Sequence, residues 1–277
     1  MFIHFFEQYS ILLMICYLLI GVFGALITVF IGNGLSLITL PALTFIFMHV
    51  FPHAIALKIA IATTMSAITV IGLMITIQYI CLGYVPHRSY SLIVLLFGTA
   101  GSAIGSHIAM LLPPRWVHIY VGVLLSAIAG YHLVFNKGII HLNTETKMIT
   151  MRIFAVVGIM TFIAMIISSA SGIASGILLI PILNRYLPYR QAINTSMFAT
   201  TLPGLIVCTF VYIYHGQQLS IHANLGYIYL PSFISIIIAA MITIIVVKPF
   251  VPKFSIVRAK KFFYLCVLIT GMIMIFR

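Results

Sequence analysis

Apolar runs with scarcely a charge inside them recur along the chain, at roughly 10–31, 57–80, 90–111, 116–135, 152–170, 190–214, 225–247 and 260–276. Each reaches the ~20 residues that a helix needs to cross about 30 Å of hydrocarbon. Inside hydrocarbon every backbone N–H and C=O must find a partner within the protein, so a run of that length crosses as a helix. The chain is therefore expected to be an all-α polytopic membrane protein. Its composition agrees, with 63% hydrophobic and 6% charged residues where a soluble globule carries roughly a quarter charged.

Charge then sets orientation. The only carboxylates are Glu7 and Glu145, so the net charge of +12 reflects missing acids as much as the 14 Lys and Arg. These cations sit in short loops between apolar runs, where they orient helices in a bilayer. No nucleic-acid partner is expected. Cys16, Cys81, Cys208 and Cys266 are widely separated and form neither a CxxC pair nor a disulfide framework. The start, MFIHFFEQYS, has no Lys or Arg ahead of its first apolar run, so retained helices are expected rather than a cleaved leader.

Small polar residues interrupt this lipid-grade sequence twice. From Ser168 the chain reads SSASGIASGILLIP, and from Phe30 it reads FIGNGLSLITLP. Gly32, Ser36 and Pro41 match Gly172, Gly176 and Pro181 at one offset, 140 residues. A helix broken at such points frees backbone polar groups, which hydrocarbon tolerates only where they are buried in protein or line a wet cavity. After each break comes a short apolar piece, about 35–48 and 176–187, too short to span alone at 1.5 Å per residue.

If both short pieces cross or return, and the Lys248 to Lys261 loop is cytoplasmic, the cations divide 11 inside to 3 outside, with Lys58, Arg115 and Arg277 outside. If they do not, the division is 9 to 5. The positive-inside rule favours the first arrangement. It gives about ten membrane segments, eight full-length and two short, in two inverted repeats with broken helices: residues 1–135, a cytoplasmic linker 136–151, and residues 152–277. Weakly similar halves, each with an interrupted helix, point to a secondary transporter with a midplane site.

A small anion in such a site would be held by half-helix N-termini, whose free N–H groups and dipole favour negative charge. The candidate substrate-binding residues are Gly32, Asn33, Gly34 and Ser36 from the first break and Ser171, Gly172, Ser175 and Gly176 from the second. Asn194, Thr195 and Ser196 would add side-chain donors, and Lys58 a counter-charge. The other reading of the small residues is close helix packing, and of Lys58, snorkelling to headgroups. Aligned at an offset of 136, the first-half counterpart of Asn194-Thr195-Ser196 is Lys58-Ile59-Ala60. With no carboxylate inside the membrane segments, His107, on a helix lined by Gly98, Gly101 and Gly105, is the candidate proton relay. Sodium held by hydroxyls and carbonyls, or flux without a coupling ion, is equally open.

The paired motifs SSASGIASGILLIP and FIGNGLSLITLP, the downstream AINTSMFATTLPG, and LLPPRWVHIYVGVLL resemble the TauE/SafE sulfite exporter family of membrane permeases, also called the toluene sulfonate uptake permease family. The resemblance covers nearly the whole chain apart from the first ten residues and the linker. It implies carriage of a small sulfur-containing anion, such as sulfite or an organosulfonate. The chain departs from the glycine-rich family motif at Asn33 in one copy and at Ala174 and Ser175 in the other.

Catalysis finds no support: there is no HExxH, no Asp anywhere, and no nucleotide-binding glycine loop in a soluble context. No cofactor and no metal site are expected. His49 and His53 flank Pro52 and do not share a helical face. The expectation is a permease in the cell inner (plasma) membrane, with the lipid bilayer and a small anion as partners and a homodimer as its assembly. An anion channel and a non-transporting scaffold are the rival readings.

Overall fold

A computed structural model of the chain describes residues 2–31, 35–134, 146–217, 219, 223–247 and 256–276. In the first half the helices are α1 (Phe2–Ile31), α2 (Leu35–Val50), α3 (His53–Cys81), α4 (Arg88–Leu111) and α5 (Pro114–Val134). In the second they are α6 (Met151–Ser171), α7 (Gly176–Leu183), α8 (Tyr189–Pro203), α9 (Thr209–His215), α10 (Leu230–Val247) and α11 (Ile256–Phe276). The expected segments at 35–48 and 176–187 are α2 and α7. Gly32, Asn33, Gly34 and most of the 136–151 linker lie outside the described residues.

Among the described residues, five helices are long and apolar enough to cross a membrane: residues 11–28 of α1, then α3, α4, α6 and α10. The protein is therefore a multi-pass, all-helical membrane protein. Prolines place many of its boundaries. Pro52 and Pro188 stand directly before α3 and α8, at φ −55° and −53°, and α5 begins on Pro114. At a helix start the missing N–H is no loss and the fixed φ is already suitable.

Two expected spans take a different form. The run 190–214 is α8, a π-helical turn over Gly204–Cys208, and α9. Pro203 donates no amide to the carbonyl four residues back, and the ladder widens there instead of breaking. Its counterpart α3 has Ile71 where the second half has Pro203, and it runs unbroken. The span expected from 225 starts at Leu230, because Asn224–Leu225 and Ile228–Tyr229 form a two-stranded hairpin, β1–β2. Gly226 turns it with φ +63°, and a Cβ there would sit 2.5 Å from the Ile213 Cα. No residue but glycine fits that approach.

Packing repeats between the halves. Helix α4 lies along α6, α1 along α10, and α5 along α11. Along the α4–α6 seam Gly101 meets Phe162 and Met165, while Gly105 meets Ile166 and Ser169. Residue numbers rise together, so these two helices run parallel. Close approach needs small residues: a Cβ on Gly101 would stand 2.5 Å from the Phe162 carbonyl oxygen. In lipid this contact area, not hydrophobic exclusion, drives helix association.

Helices α3 and α8 cross the other way. Gly72 faces the Thr201 hydroxyl at 3.0 Å, and Gly204 faces the Thr69 hydroxyl at 2.7 Å, measured from where each Cβ would stand. The later residue on one helix meets the earlier on the other, so the pair is antiparallel. It is also reciprocal, since 69 and 72 correspond to 201 and 204 at an offset of 132. Around α3 collects the largest core cluster among the described residues, with Leu40, Leu57, Ile61, Tyr212 and Ile236 buried in it.

Candidate functional site

Where α6 ends, at Ser171, the chain turns through Gly172 in the left-handed conformation, φ +76°, an arrangement that L side chains resist. The turn is pressed into the protein. A Cβ on Gly172 would meet the Ile61 Cα at 3.2 Å and Leu40 Cδ1 at 3.3 Å. Helix α7 then departs from Gly176, and beyond it the Lys147 amide donates to the Tyr186 carbonyl at 2.9 Å. Lys147 precedes α6 and Tyr186 follows α7, so this helical hairpin enters and leaves on one face.

The freed polar groups of the break have partners within the protein. The Gly172 amide donates to the Ser168 carbonyl at 2.9 Å, and the Ile173 amide donates to Ser171 Oγ at 3.3 Å. The Ala174 amide donates to Ser36 Oγ at 2.9 Å. Ser168 Oγ donates to the Ile173 carbonyl at 2.5 Å, and the Tyr212 hydroxyl donates to the Ser169 carbonyl at 3.0 Å. The amides of Ile173 and Ala174 are thus held by serine hydroxyls. Since an unpaired buried amide costs about 1–3 kcal/mol, these serines stabilise the break directly. Ser36, one residue into α2, ties that helix to the α6–α7 hairpin; it is fully buried, as is Ser171.

The three polar residues of α8 divide their duties. The Asn194 side-chain amide donates to the Tyr84 carbonyl, and Thr195 Oγ1 accepts from the His87 amide at 2.9 Å. Both groups are therefore engaged by the loop between α3 and α4. The Ser196 hydroxyl is fully buried without a hydrogen-bond partner, and so is the Thr64 hydroxyl on α3. The Asn194 carbonyl oxygen is likewise buried and unpaired.

Thr64 is no accident of α3. AIATTMSAITVIG at 60–72 and AINTSMFATTLPG at 192–204 share seven of thirteen residues at the 132 offset fixed by the Gly72–Thr201 and Gly204–Thr69 contacts. The counterpart of Asn194-Thr195-Ser196 is thus Ala62-Thr63-Thr64, which corrects the Lys58-Ile59-Ala60 alignment. The 136 offset aligns Pro52 with Pro188, and the spacing between proline and motif differs by four residues in the two halves.

Lys58 now aligns with Arg190. Each lies near the start of its helix, and each reaches another element: Lys58 Nζ donates to the Met110 carbonyl at the end of α4, and Arg190 donates to the Tyr84 hydroxyl. The Arg190 guanidinium also lies 4.9 Å from the centre of the Tyr84 ring. His107 pairs with a residue not singled out in the sequence, His215: their ring nitrogens are 3.0 Å apart. Lys58 lies close enough to His215 to interact electrostatically. Lys58, His107 and His215 form a basic group joining the adjacent ends of α3, α4 and α9.

Two clefts open elsewhere on the described surface. One of about 590 Å³ is lined by His53, Arg115, His118 and Met274 among others. The second, about 800 Å³, runs from His87 and Leu92 to Lys147 and Phe154. Neither is lined by a residue of the α6–α7 break.

The family model for the sulfite exporter TauE/SafE matches residues 17–274. The chain belongs to the TauE/SafE family. The match takes in the α6–α7 break, both copies of the α3/α8 motif, and the His107–His215 pair. No curated protein and no solved structure matches the chain. TauE/SafE membership assigns it to a membrane transporter family whose substrates are sulfite and related anions.

Proposed function

We propose that the chain is a secondary transporter of the cell inner (plasma) membrane, carrying sulfite or an organosulfonate by alternating access between two inverted repeats, 1–135 and 152–277, joined by the linker 136–151. The observation that carries this is the reciprocal antiparallel crossing of α3 and α8, through Gly72–Thr201 and Gly204–Thr69. An antiparallel pair of equivalent helices is what inversion of one half relative to the other requires.

The Ser36–Ala174 hydrogen bond supports a site where the two hairpins meet. On this proposal the substrate lies among Gly32, Asn33, Gly34, Ser36, Ser171, Gly172, Ser175 and Gly176, at the α7 N-terminus, with Ser196 and Thr64 as hydroxyl donors. Their buried, unpartnered oxygens favour that assignment, because a hydroxyl left unpaired in the interior is costly unless something binds it. No bond is made or broken on the substrate, so the chain acts as a carrier and not an enzyme. Each chain holds both breaks, and pairing into a dimer forms no part of the proposal.

A thermal-shift screen of purified protein tests the substrate class. A ligand at 100 times its Kd stabilises by about 2.7 kcal/mol, so sulfite or a sulfonate should raise the melting temperature and Ser196→Ala should abolish the rise. If carboxylates alone raise it, the substrate class is wrong. Saturable counterflow in proteoliposomes separates a carrier from a channel, which would pass current without exchange.

A further inference from the structure

Thr63 and Thr195, equivalent at the 132 offset, do the same thing on opposite halves. Thr195 Oγ1 accepts from the His87 amide at 2.9 Å, and His87 is the residue before α4. Thr63 Oγ1 accepts from the Tyr229 amide at 3.1 Å, and Tyr229 is the residue before α10. Helices α4 and α10 hold the same place in their halves, fourth in order once α8, the π-helical turn and α9 are counted as one span. Each threonine, fully buried in its helix, thus holds the first turn of the other half's fourth helix. Coincidence does not produce this twice, because the hydroxyl of a buried helical threonine is ordinarily satisfied by its own helix.

What surrounds the two contacts differs. Beside Thr195, Asn194 and Arg190 both bind Tyr84, and the Gln191 side-chain amide donates to the Val85 carbonyl at 3.4 Å. The corresponding positions in α3 are Ala62, Lys58 and Ile59. Beside Thr63 the neighbours are rings: Tyr229 packs against Phe51, Phe47 and Tyr17 with centroids 5.3, 5.7 and 6.3 Å apart. One face is closed by polar bonds to a loop, the other by an aromatic cluster.

We propose that Thr195 and Thr63 are the latches of two gates, one on each face of the membrane, formed by the α3–α4 loop and by the β1–β2 hairpin. This rests on the alternating-access reading above and adds to it the residues that close each side. Each latch couples the halves, because the threonine and the amide it holds belong to different repeats. Asn194, Arg190 and Gln191 are positioning residues for the Thr195 gate; they hold Tyr84 and Val85 over the start of α8.

Sided labelling tests the proposal in the full chain with its four cysteines replaced by serine. A single reporter cysteine is placed at Ser196 or at Thr64, both fully buried beside the latches, and a membrane-impermeant maleimide is applied to intact cells or to inside-out vesicles, without substrate. Loss of one such hydrogen bond should speed labelling about three- to tenfold. Thr195→Val should do so for S196C from the His87 face alone, and Thr63→Val for T64C from the Tyr229 face alone. Thr195→Ser and Thr63→Ser keep the hydroxyl and should label at the parental rate. The proposal is overturned if valine and serine variants label alike, or if either valine variant opens both faces equally. Because no substrate is present, sulfite flux measured separately bears on the transport reading, and labelling bears on the latches.

Discussion

Replacing Gly172 with alanine asks whether the chain is truly broken after α6. At φ +76° a residue with a Cβ loses about 1–2 kcal/mol to backbone strain alone. The new methyl would also stand 3.2 Å from the Ile61 Cα and 3.3 Å from Leu40 Cδ1, closer than ordinary van der Waals contact. One of those is backbone and cannot yield cheaply, so the whole cost is about 2–3 kcal/mol. At about 2–4 °C per kcal/mol for a chain of this size, the melting temperature should fall by about 4–12 °C. The assay is thermal unfolding of detergent-purified protein at one fixed scan rate, since such unfolding is seldom reversible. Gly130→Ala provides the contrast. Gly130 lies within α5 with nothing inside 4 Å of its would-be Cβ, and alanine should stabilise that helix by about 0.5–1 kcal/mol. If Gly172→Ala melts as high as Gly130→Ala, the helix continues through residue 172 and the hairpin is wrong.

Three further outcomes follow from the same geometry. Ser36→Ala strands the Ala174 amide, at a cost of about 1–3 kcal/mol, and should depress both melting temperature and uptake of radiolabelled sulfite; unchanged uptake and stability would remove the contact between hairpins. Gly105→Leu forces α4 off α6, because even a Cβ there would lie 2.9 Å from the Ile166 Cα; size-exclusion profiles of the expressed protein should show aggregate in place of a single peak. His107→Asn and His215→Asn, combined in a double-mutant cycle, should show a coupling of about 0.5–1.5 kcal/mol near neutral pH. Costs that simply add in the double variant would refute the shared hydrogen bond.

How much of this was written in the sequence depends on the distance over which each residue acts. The break after α6 is legible because glycine and serine inside an apolar run have a local consequence, loss of the helix ladder. Pro41 and Pro181 then mark the matched pieces α2 and α7. The β1–β2 hairpin is illegible because its residues, NLGYIY, carry no charge and run straight into the apolar stretch of α10. What excludes a helix is the approach of Gly226 to the backbone of Ile213, a tertiary contact. The proper pairing of α3 with α8 is hidden for a related reason. Pro52 and Pro188 are the conspicuous landmarks and suggest an offset of 136, whereas packing at the crossing obeys 132. Gly72 and Gly204 register the two helices, and the four-residue difference is taken up at the helix starts. His215 gives no signal at all until α9 is folded beside α4.

With two carboxylates in the whole chain, hydroxyls carry most of the polar work inside the membrane, and their partners sort them into two kinds. Thr28, Thr44, Thr69, Ser102, Ser106, Ser169, Thr201 and Thr243 each donate to the carbonyl four residues earlier. That is the satisfaction available to any hydroxyl on a helix in lipid, and it carries no information about neighbours. Ser36, Thr63 and Thr195 instead accept amides from other elements, and each joins one half of the chain to the other. An acceptor used in this way must be held at hydrogen-bond distance by two independently placed helices, a far more demanding condition than bonding within one turn. These three side chains therefore mark points where the two halves of the chain are registered against each other through a backbone amide.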